Sequence, residues 1–207
     1  MKKINDTTAV IGPVRLSYLT VFKPRRNTAR DDQALEYSLV MLIPKDVHEH
    51  VENPTGEAND IKAWLKSIAM AKFGAQLPKG LKIPFKDGDI EPENGEAPYP
   101  GYWYMRTSCK DEFPPALIDG NKKPVTGGWT SGDWAKVNVR AFAYDKGVNK
   151  GVSLGLRGVQ FLYKDEALGG STDATEGFDT VEGAHSGGQS SSSSDDDGSY
   201  DPFGPDA

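Results

Sequence analysis

Apolar and polar residues alternate along several stretches of the chain, and a two-residue period of this kind predicts β-strands. The clearest stretch is DWAKVNVRAFAYD at residues 133–145. The turn residues KGVNKG follow it, and the apolar run VSLGLRGVQFLY at 152–163 then returns, which indicates a β-hairpin. One face of the first strand is small and apolar throughout, as the interior of a tight barrel requires: Ala135, Val137, Val139, Ala141 and Ala143.

Four further segments have the composition of strands and are bounded by turn-forming residues. They are RLSYLTVF at 15–22, EYSLVMLIP at 36–44, GYWYMRTS at 101–108 and PPALI at 114–118. The second of these is so rich in apolar residues that we expect it to be covered on both faces.

One helix is predicted, in NDIKAWLKSIAMAKFG at residues 59–74. Its apolar residues recur at the i, i+3, i+4 and i+7 positions of one helical face: Ile61, Trp64, Leu65 and Ile68. Asn59 or Asp60 can cap its start, and Gly74 can end it. A mainly β chain with one helix lacks the repeated crossovers of a parallel sheet. We therefore predict an OB-fold-like five-stranded barrel with elaborated loops.

The composition changes after FLYKDEALGG, and from Ser171 onward the chain consists largely of Gly, Ser, Thr, Asp and Glu. A segment with so few aliphatic residues cannot offset its ordering entropy by burial, so it is predicted to be disordered. We therefore divide the chain into an OB-fold domain at 1–168 and an acidic, Gly/Ser/Asp-rich tail at 169–207.

The formal net charge of −6 hides two parts of opposite sign. Residues 1–164 contain all 24 Lys and Arg together with 19 Asp and Glu, which gives a formal charge of +5. Residues 165–207 contain the other 11 acids and no Lys or Arg, which gives −11. A basic body with an acidic tail indicates a polyanion-binding domain joined to an interaction tail.

Signals for other classes of protein are weak. A single cysteine, Cys109, excludes an internal disulfide, and no segment reaches the roughly 20 apolar residues of a membrane span. We therefore predict no membrane association, and with one cysteine and three histidines we predict no metal site. We also predict no cofactor and no catalysis, because Walker, GxSxG and Cys–His signatures are absent from the sequence. A metal-dependent nuclease using Asp87, Asp89 and Glu91 is the weakest alternative.

The polar face of the strand at 133–145 combines aromatic rings with cations. Single-stranded nucleic acid requires this combination, because rings stack on bases and cations neutralise phosphates. The candidate residues on this face are Trp134, Lys136, Arg140, Phe142 and Tyr144. The sequence leaves open the alternative that the three rings pack under a loop or against the helix.

A second aromatic cluster lies in YPGYWYMR. Alternation places Tyr102, Tyr104 and Arg106 on one face and Trp103 and Met105 on the other, and one of these faces belongs to the core. The sequence does not decide which, and we take the first set as the candidate for nucleic-acid binding.

The loop KPRRNTAR, which follows the strand at 15–22, is strongly basic. Its candidate phosphate-binding residues are Lys23, Arg25 and Arg26. The alternative is an ordinary solvated loop, since most isolated charge runs are of that kind.

Four segments resemble a family of tailed-phage single-stranded-DNA-binding proteins that was long catalogued as a domain of unknown function. They are GPVRLSYLTVFKPR, GYWYMRTSCKDEFPPALIDGNKKPV, SGDWAKVNVRAFAYDKGVNKGVSLGLRGVQFLYKDEALGG and the terminal DPFGPDA. The resemblance covers roughly residues 10–170. It implies an OB fold, sequence-tolerant binding of single-stranded DNA, work in phage replication or recombination, and no catalysis.

The same resemblance gives the end of the chain a role. Single-strand binders of bacteria and phages commonly end in an acidic, disordered tail with an aromatic tip, and DDDGSYDPFGPDA is similar to such a tip. By this resemblance Phe203 is the hydrophobic anchor of a partner-binding tail. The charged residues of that tail are Asp195, Asp196, Asp197 and Asp201. In the bacterial proteins the phenylalanine is the last residue, whereas GPDA follows it here.

The function predicted from these features is sequence-independent binding of single-stranded DNA in the cytoplasm of a phage-infected bacterium. Replication and recombination proteins are the expected partners of the tail, and a homo-oligomer is left open. An RNA-binding OB protein is one alternative, because stacking alone does not exclude ribose. The other is a non-catalytic structural or interaction protein whose aromatic face is an oligomer interface.

Overall fold

A computed structural model of the chain describes residues 1–26, 34–90 and 98–168. The predicted tail at 169–207, with its acidic residues and Phe203, lies outside the described residues. The strands are β1 (Lys2–Lys3), β2 (Thr8–Arg26), β3 (Leu35–Pro44), β4 (Lys86–Asp87), β5 (Tyr102–Lys110), β6 (Ala116–Ile118), β7 (Trp134–Lys146) and β8 (Asn149–Tyr163). One helix, α1 (Pro54–Phe73), lies between β3 and β4.

Five of the strands close into a barrel in the order β5-β3-β2-β7-β8. Neighbouring strands in this order are antiparallel. The barrel closes where β8 meets β5 in parallel, at the pair Ser108 and Gly155. The short strands β1, β4 and β6 add to β2, β5 and β8, respectively. The prediction of a mainly β, OB-like five-stranded barrel is therefore confirmed.

The alternation along β7 gives the barrel its interior. Ala135, Val137, Val139 and Ala141 are all fully buried, while Arg140 between them is exposed. They share one core with the other inward positions of the barrel, including Ile11, Leu39, Met41, Met105 and Phe161. Small side chains on β7 leave room for larger ones from the opposite strands, as close packing requires.

Strand β2 is longer than the sequence indicated, because it begins at Thr8 rather than near Arg15. Its first half pairs with β7 and its second half with β3, so it bends around the barrel. The pairing with β7 shifts register between Ile11 and Val14, and Gly12 and Pro13 lie there. Proline has no N–H for a strand ladder and is tolerated at such a break. Because Gly12 and Pro13 are typical of turns, the sequence did not predict the first part of β2.

Strand β3 is covered on both faces, as predicted. Leu39, Met41 and Ile43 point into the barrel and are fully buried or nearly so, while Val40 and Leu42 on the other face are also buried. The second face is shielded by the chain around Tyr99, which lines a depression together with Leu42. The apolar residues on one face of β3 therefore belong to the barrel interior, and those on the other face lie under the chain around Tyr99.

Helix α1 begins five residues or more before the predicted start. Asn53 is its N-cap and accepts a hydrogen bond from the Gly56 N–H at 3.0 Å, and Pro54 occupies the first turn. Proline suits that position because its fixed φ is already helical and its missing N–H would have no helical partner. The predicted end is confirmed, since the Gly74 N–H donates to the Met70 carbonyl at 2.8 Å.

The apolar face of α1 packs on the barrel core. Ile61, Trp64, Leu65 and Ile68 are buried in the same cluster as the inward residues of β3, β7 and β8. The Trp64 indole N–H donates to the Asp6 carbonyl at 2.9 Å, which ties the helix to the segment before β2. Within the described ranges, no helix is long and apolar enough to cross a membrane.

Candidate nucleic-acid interface

A groove runs across the outer face of β2, β3 and β5. Strand register aligns its positions in rows: Ser17 pairs with Val40, which pairs with Arg106, and Thr20 pairs with Ser38. Because alternate residues of a strand share a face, the outward residues of β5 include Tyr102, Tyr104 and Arg106. Met105 is fully buried and Trp103 packs against the core, which decides the question that the sequence left open.

Tyr18 stands at the centre of this groove. The β2–β3 pairing shifts register between Ser17 and Thr20, so Tyr18 lies in a β-bulge, and its φ is 46°. A positive φ is unfavourable for a residue with a side chain, and such strain clusters at functional sites. The ring is 73% exposed. The bulge thus presents an aromatic ring to solvent in the middle of the groove.

The groove contains two depressions on either side of this bulge. The basic cleft has a volume of about 370 Å³ and is lined by Tyr18, Thr20, Arg25, Arg26, Glu36, Ser38, Leu39, Val40, Tyr99 and Arg106. The aromatic cleft has a volume of about 470 Å³ and is lined by Ser17, Tyr18, Leu42, Pro98, Tyr99, Pro100, Tyr102, Ser131 and Leu168. Tyr18 and Tyr99 line both, so the two clefts adjoin each other along these rings.

Tyr99 links the groove floor to β5. Its hydroxyl lies 3.4 Å from the Ser17 hydroxyl, and its ring centroid lies 5.1 Å from that of Tyr104. Burial raises the pKa of Tyr99, so this phenol stays neutral and keeps its hydrogen at physiological pH. The Lys86 ammonium lies 6.0 Å from the Tyr104 ring, a cation–π distance. Neutral rings beside cations are suited to stacking on bases.

The cations of the groove have different surroundings. Arg25 and Arg26 are exposed and line the basic cleft, whereas Lys23 is exposed but does not line it. The Arg106 guanidinium donates to the Glu36 carboxylate at 2.9 Å. The Arg15 guanidinium donates to the carbonyls of Gly132 and Glu166 at 3.0 and 2.9 Å. Arg15 therefore holds surrounding loops in place, while Arg25 and Arg26 face solvent.

The candidates on β7 lie on a separate surface. Arg140 and Phe142 are exposed and line a depression of about 420 Å³ with Arg157 of β8. Lys136 and Tyr144 are half-buried, and neither lines this depression nor the groove. The strand face predicted from alternation is therefore separate from the predicted residues of β5. Of these, Tyr102 lines the aromatic cleft, Arg106 lines the basic cleft, and Tyr104 lines neither but a neighbouring depression with Phe85 and Lys86.

The prediction that Trp134 is a nucleic-acid-binding ring on this face is corrected by the structure. Its side chain is 0% exposed, and its indole N–H donates to the Asp165 carboxylate at 2.7 Å. The His48 ring stacks on it at 4.4 Å, and the His50 ring meets its edge at 5.1 Å. The alternation of β7 continues to Trp134, because the register shift between Trp134 and Ala135 places the extra residue on β8. The face is covered here by the rings of His48 and His50. Trp134 is thus packed under a loop.

The residues after β8 form a strap beside the groove. The hydrogen bond from Trp134 lowers the pKa of Asp165, and the nearby Arg15 and His48 also lower it. The Lys164 ammonium lies 3.0 Å from the Asp133 carboxylate. At the end of the strap the Leu168 N–H donates to the Ser131 carbonyl at 3.0 Å, and Leu168 lines the aromatic cleft. The last described residue therefore lies in the groove wall.

The acids of the alternative nuclease hypothesis are engaged in ion pairs or lie outside the described residues. Asp87 and Asp89 both form ion pairs with the Lys45 ammonium, and these hydrogen bonds lower the pKa of each carboxyl. Glu91 lies outside the described residues. Across residues 1–26, 34–90 and 98–168, no group of three or more His, Cys, Asp and Glu is arranged to hold a metal ion.

Sequence analysis missed several residues of the groove, among them Tyr18, Tyr99 and Glu36. A signal for Tyr18 exists in RLSYLTVF, where Ser17 and Thr20 both face the groove although they are three positions apart. An odd spacing between two positions on one face indicates an inserted residue. Tyr99 and Glu36 have no comparable signal, because they reach the site through a loop and through strand pairing.

Comparison with known proteins gives consistent results. A family model described as Enterobacter phage Enc34, ssDNA-binding protein, matches residues 7–189. Putative protein p50 of Acyrthosiphon pisum secondary endosymbiont phage 1 is 30% identical over 181 residues, which cover 81% of this chain and 90% of that protein.

Two solved structures have the same fold. The single-stranded DNA-binding protein from bacteriophage Enc34 in complex with ssDNA superposes with a TM-score of 0.63 at 17% identity, covering 82% of this chain and 97% of that one. The single-stranded DNA-binding protein gp2.5 of bacteriophage T7 gives 0.52 at 14% identity, covering 81% and 96%. At these identities the likeness establishes the barrel fold.

Proposed function

The chain belongs to the Enterobacter phage Enc34 ssDNA-binding protein family, and from this premise we propose that its groove binds single-stranded DNA with little sequence preference. The observation that carries the proposal is the row of tyrosines beside arginines: Tyr18, Tyr99 and Tyr102 with Arg25, Arg26 and Arg106. Stacking on such rings contributes about 1–3 kcal/mol per base and tolerates any base. We propose no catalytic role.

The face on β7 and β8 would extend the path of a longer strand. Ser108 of β5 pairs with Gly155, which pairs with Arg140, so this face adjoins β5 across the closure of the barrel. Phe142 is 48% exposed there and Arg140 lies beside it, one ring and one cation for further nucleotides. Lys136 and Tyr144 would contribute at most from the margin, since both are half-buried.

The salt dependence of binding tests the proposal. Each neutralised phosphate releases counterions, so the logarithm of the association constant should fall with the logarithm of salt concentration by about 0.7 per contact. Arg25→Gln should weaken binding and reduce this slope by about 0.7. The measurement is fluorescence anisotropy of a labelled dT oligonucleotide across a salt series.

Lys72→Gln is the matched control, because Lys72 is an exposed cation in the last turn of α1, away from the groove residues. This variant should bind with the slope of the wild-type chain. Binding that barely responds to salt, or equal effects of the two substitutions, would contradict a phosphate-binding groove.

We further propose that residues 169–207 form a disordered acidic tail that competes with DNA for the groove. Leu168, the last described residue before this tail, lines the aromatic cleft. Residues 169–207 contain nine acids and no Lys or Arg, and a tethered polyanion has a high effective concentration. When DNA displaces it, the tip around Asp195, Asp196, Asp197, Asp201 and Phe203 is available to replication or recombination proteins in the host cytoplasm.

Removal of the tail tests the competition. A chain ending at Gly170 should bind oligo-dT several-fold more tightly than the full chain at low salt. The difference should shrink as salt is raised, because screening weakens the attraction between tail and groove. Anisotropy titrations of both chains measure it. Equal affinities at every salt concentration would leave the tail without this role.

A further inference from the structure

The basic cleft contains an acid whose position is unexpected for a site that binds a polyanion. Glu36 is only 7% exposed, and it lines the cleft together with Arg25 and Arg26. A buried carboxylate lowers the affinity of the surrounding cations for phosphate, and burying a charge is costly in itself. The ion pair with Arg106 offsets part of this cost, and the two side chains together line the cleft.

Hydrogen-bonding groups of opposite kind lie side by side around Glu36. The Arg106 guanidinium donates to its carboxylate at 2.9 Å, and Arg25 is its cross-strand neighbour on β2. The hydroxyls of Thr20 and Ser38, 3.0 Å apart, lie in the next row of the same cleft. A carboxylate only accepts hydrogen bonds and a guanidinium only donates them, so the cleft offers an acceptor directly beside donors.

The rest of the cleft has the properties of a pocket for a planar ring. Tyr18 and Tyr99 line it, and its volume of about 370 Å³ falls within the roughly 300–1,000 Å³ of small-molecule sites. Bases of single-stranded nucleic acid can leave the stack and be read on their Watson–Crick edges while aromatic side chains hold their faces. The cleft is therefore large enough and polar enough to take one base.

We propose that the basic cleft is a nucleobase subsite in which Glu36 and Arg106 together favour cytosine over thymine and uracil. The cytosine edge presents an amino donor beside a ring-nitrogen acceptor, which complements a carboxylate beside a guanidinium. Thymine and uracil present a carbonyl oxygen where cytosine has its amino group, so an acceptor would face the Glu36 carboxylate. The inference rests on the proposed function and adds a graded base preference to it.

The test compares two oligonucleotides that differ only at the edge that is read. Oligo-dC and oligo-dU of equal length are both pyrimidine polymers without the thymine methyl group, and every register places the same base in the cleft. Discrimination at a well-formed contact is worth about 1–3 kcal/mol, so the wild-type chain should bind oligo-dC at least about 5-fold more tightly at neutral pH.

The variant Glu36→Gln should lose this discrimination, because an amide can both donate and accept. We expect its preference to fall within about twofold while oligo-dU is bound as well as before or better, since one negative charge has been removed. Glu52→Gln, an exposed acid before α1 that does not line the cleft, is the control and should keep the preference. Thermal unfolding of each variant shows whether it is folded.

The outcomes separate this inference from the proposed function. Equal affinity of the wild-type chain for oligo-dC and oligo-dU overturns the base subsite while DNA binding stands, and this result does not depend on the folding of any variant. If Glu36→Gln weakens both oligonucleotides equally, Glu36 only positions Arg106 for phosphate and the inference is wrong. If neither oligonucleotide binds to the wild-type chain, the proposed function fails and this inference with it.

Discussion

Replacing Trp134 with alanine should lower the free energy of unfolding by about 3–5 kcal/mol, the cost of removing a large aromatic side chain from a packed interior. The Trp134 side chain is fully buried, and its ring packs against the rings of His48 and His50. Alanine would also leave the Asp165 carboxylate without its hydrogen bond at 2.7 Å from the indole. The strap that ends at Leu168 would then be held less firmly.

Chemical denaturation followed by circular dichroism measures this loss. Phe142→Ala is the matched control, because Phe142 lies on the same strand but is 48% exposed, and its loss should cost less than about 1 kcal/mol. A Trp134→Ala chain that is as stable as the wild type and binds DNA poorly would mean that this ring stacks on bases after all.

Replacing Tyr18 with alanine should weaken the binding of single-stranded DNA by about 5- to 150-fold, which corresponds to the 1–3 kcal/mol of one stacked base. The ring is exposed and lines both clefts, so its removal should take away contact with DNA and leave the core unchanged. Tyr18→Phe keeps the stacking surface and should bind nearly as well as the wild-type chain.

Anisotropy titration with oligo-dT at fixed salt gives the comparison. Phe113→Ala is a suitable control, since Phe113 is also a highly exposed ring but lies after β5 and lines neither cleft. It should bind as the wild type does. If Tyr18→Ala retains full affinity, the groove on β2, β3 and β5 is not the main path of the DNA, and the face around Phe142 becomes the stronger candidate.

The barrel was predictable from sequence because buried and exposed residues alternate along its strands with a period of two. Along β7 the small residues Ala135 to Ala141 alternate with polar ones, and the structure buries the small set. The end of the helix at Gly74 was also predicted correctly. Its start was missed because the apolar period begins at Ile61, about two turns after the true cap at Asn53, although Pro54 and Ala58 are also buried.

The site was less predictable from sequence. The two-residue period shows which residues share a face of a strand, but it shows neither what covers that face nor where the strand pairing shifts register. Alternation placed Trp134 on the outward face of β7 but did not show that the rings of His48 and His50 cover it. It passed over Tyr18 because that residue lies at a register shift of β2. The groove also depends on pairing between strands distant in sequence, which brings Arg106 onto Glu36 across 70 positions. That information exists only once the barrel has closed.

The closure of the barrel has a consequence for how binding and stability are connected. Among the described residues, β3 and β5 pair continuously from Glu36 with Lys110 to Pro44 with Tyr102. In contrast, β5 and β8 meet at the one pair Ser108 and Gly155. A hydrogen bond from the Thr107 hydroxyl to the Leu154 carbonyl supports this junction. A junction with so few backbone bonds is where local opening costs least free energy. A DNA strand that contacts both sides of this junction would stabilise its closed form. By thermodynamic linkage, closing the junction would then strengthen DNA binding by the same free energy by which DNA binding stabilises the closed junction.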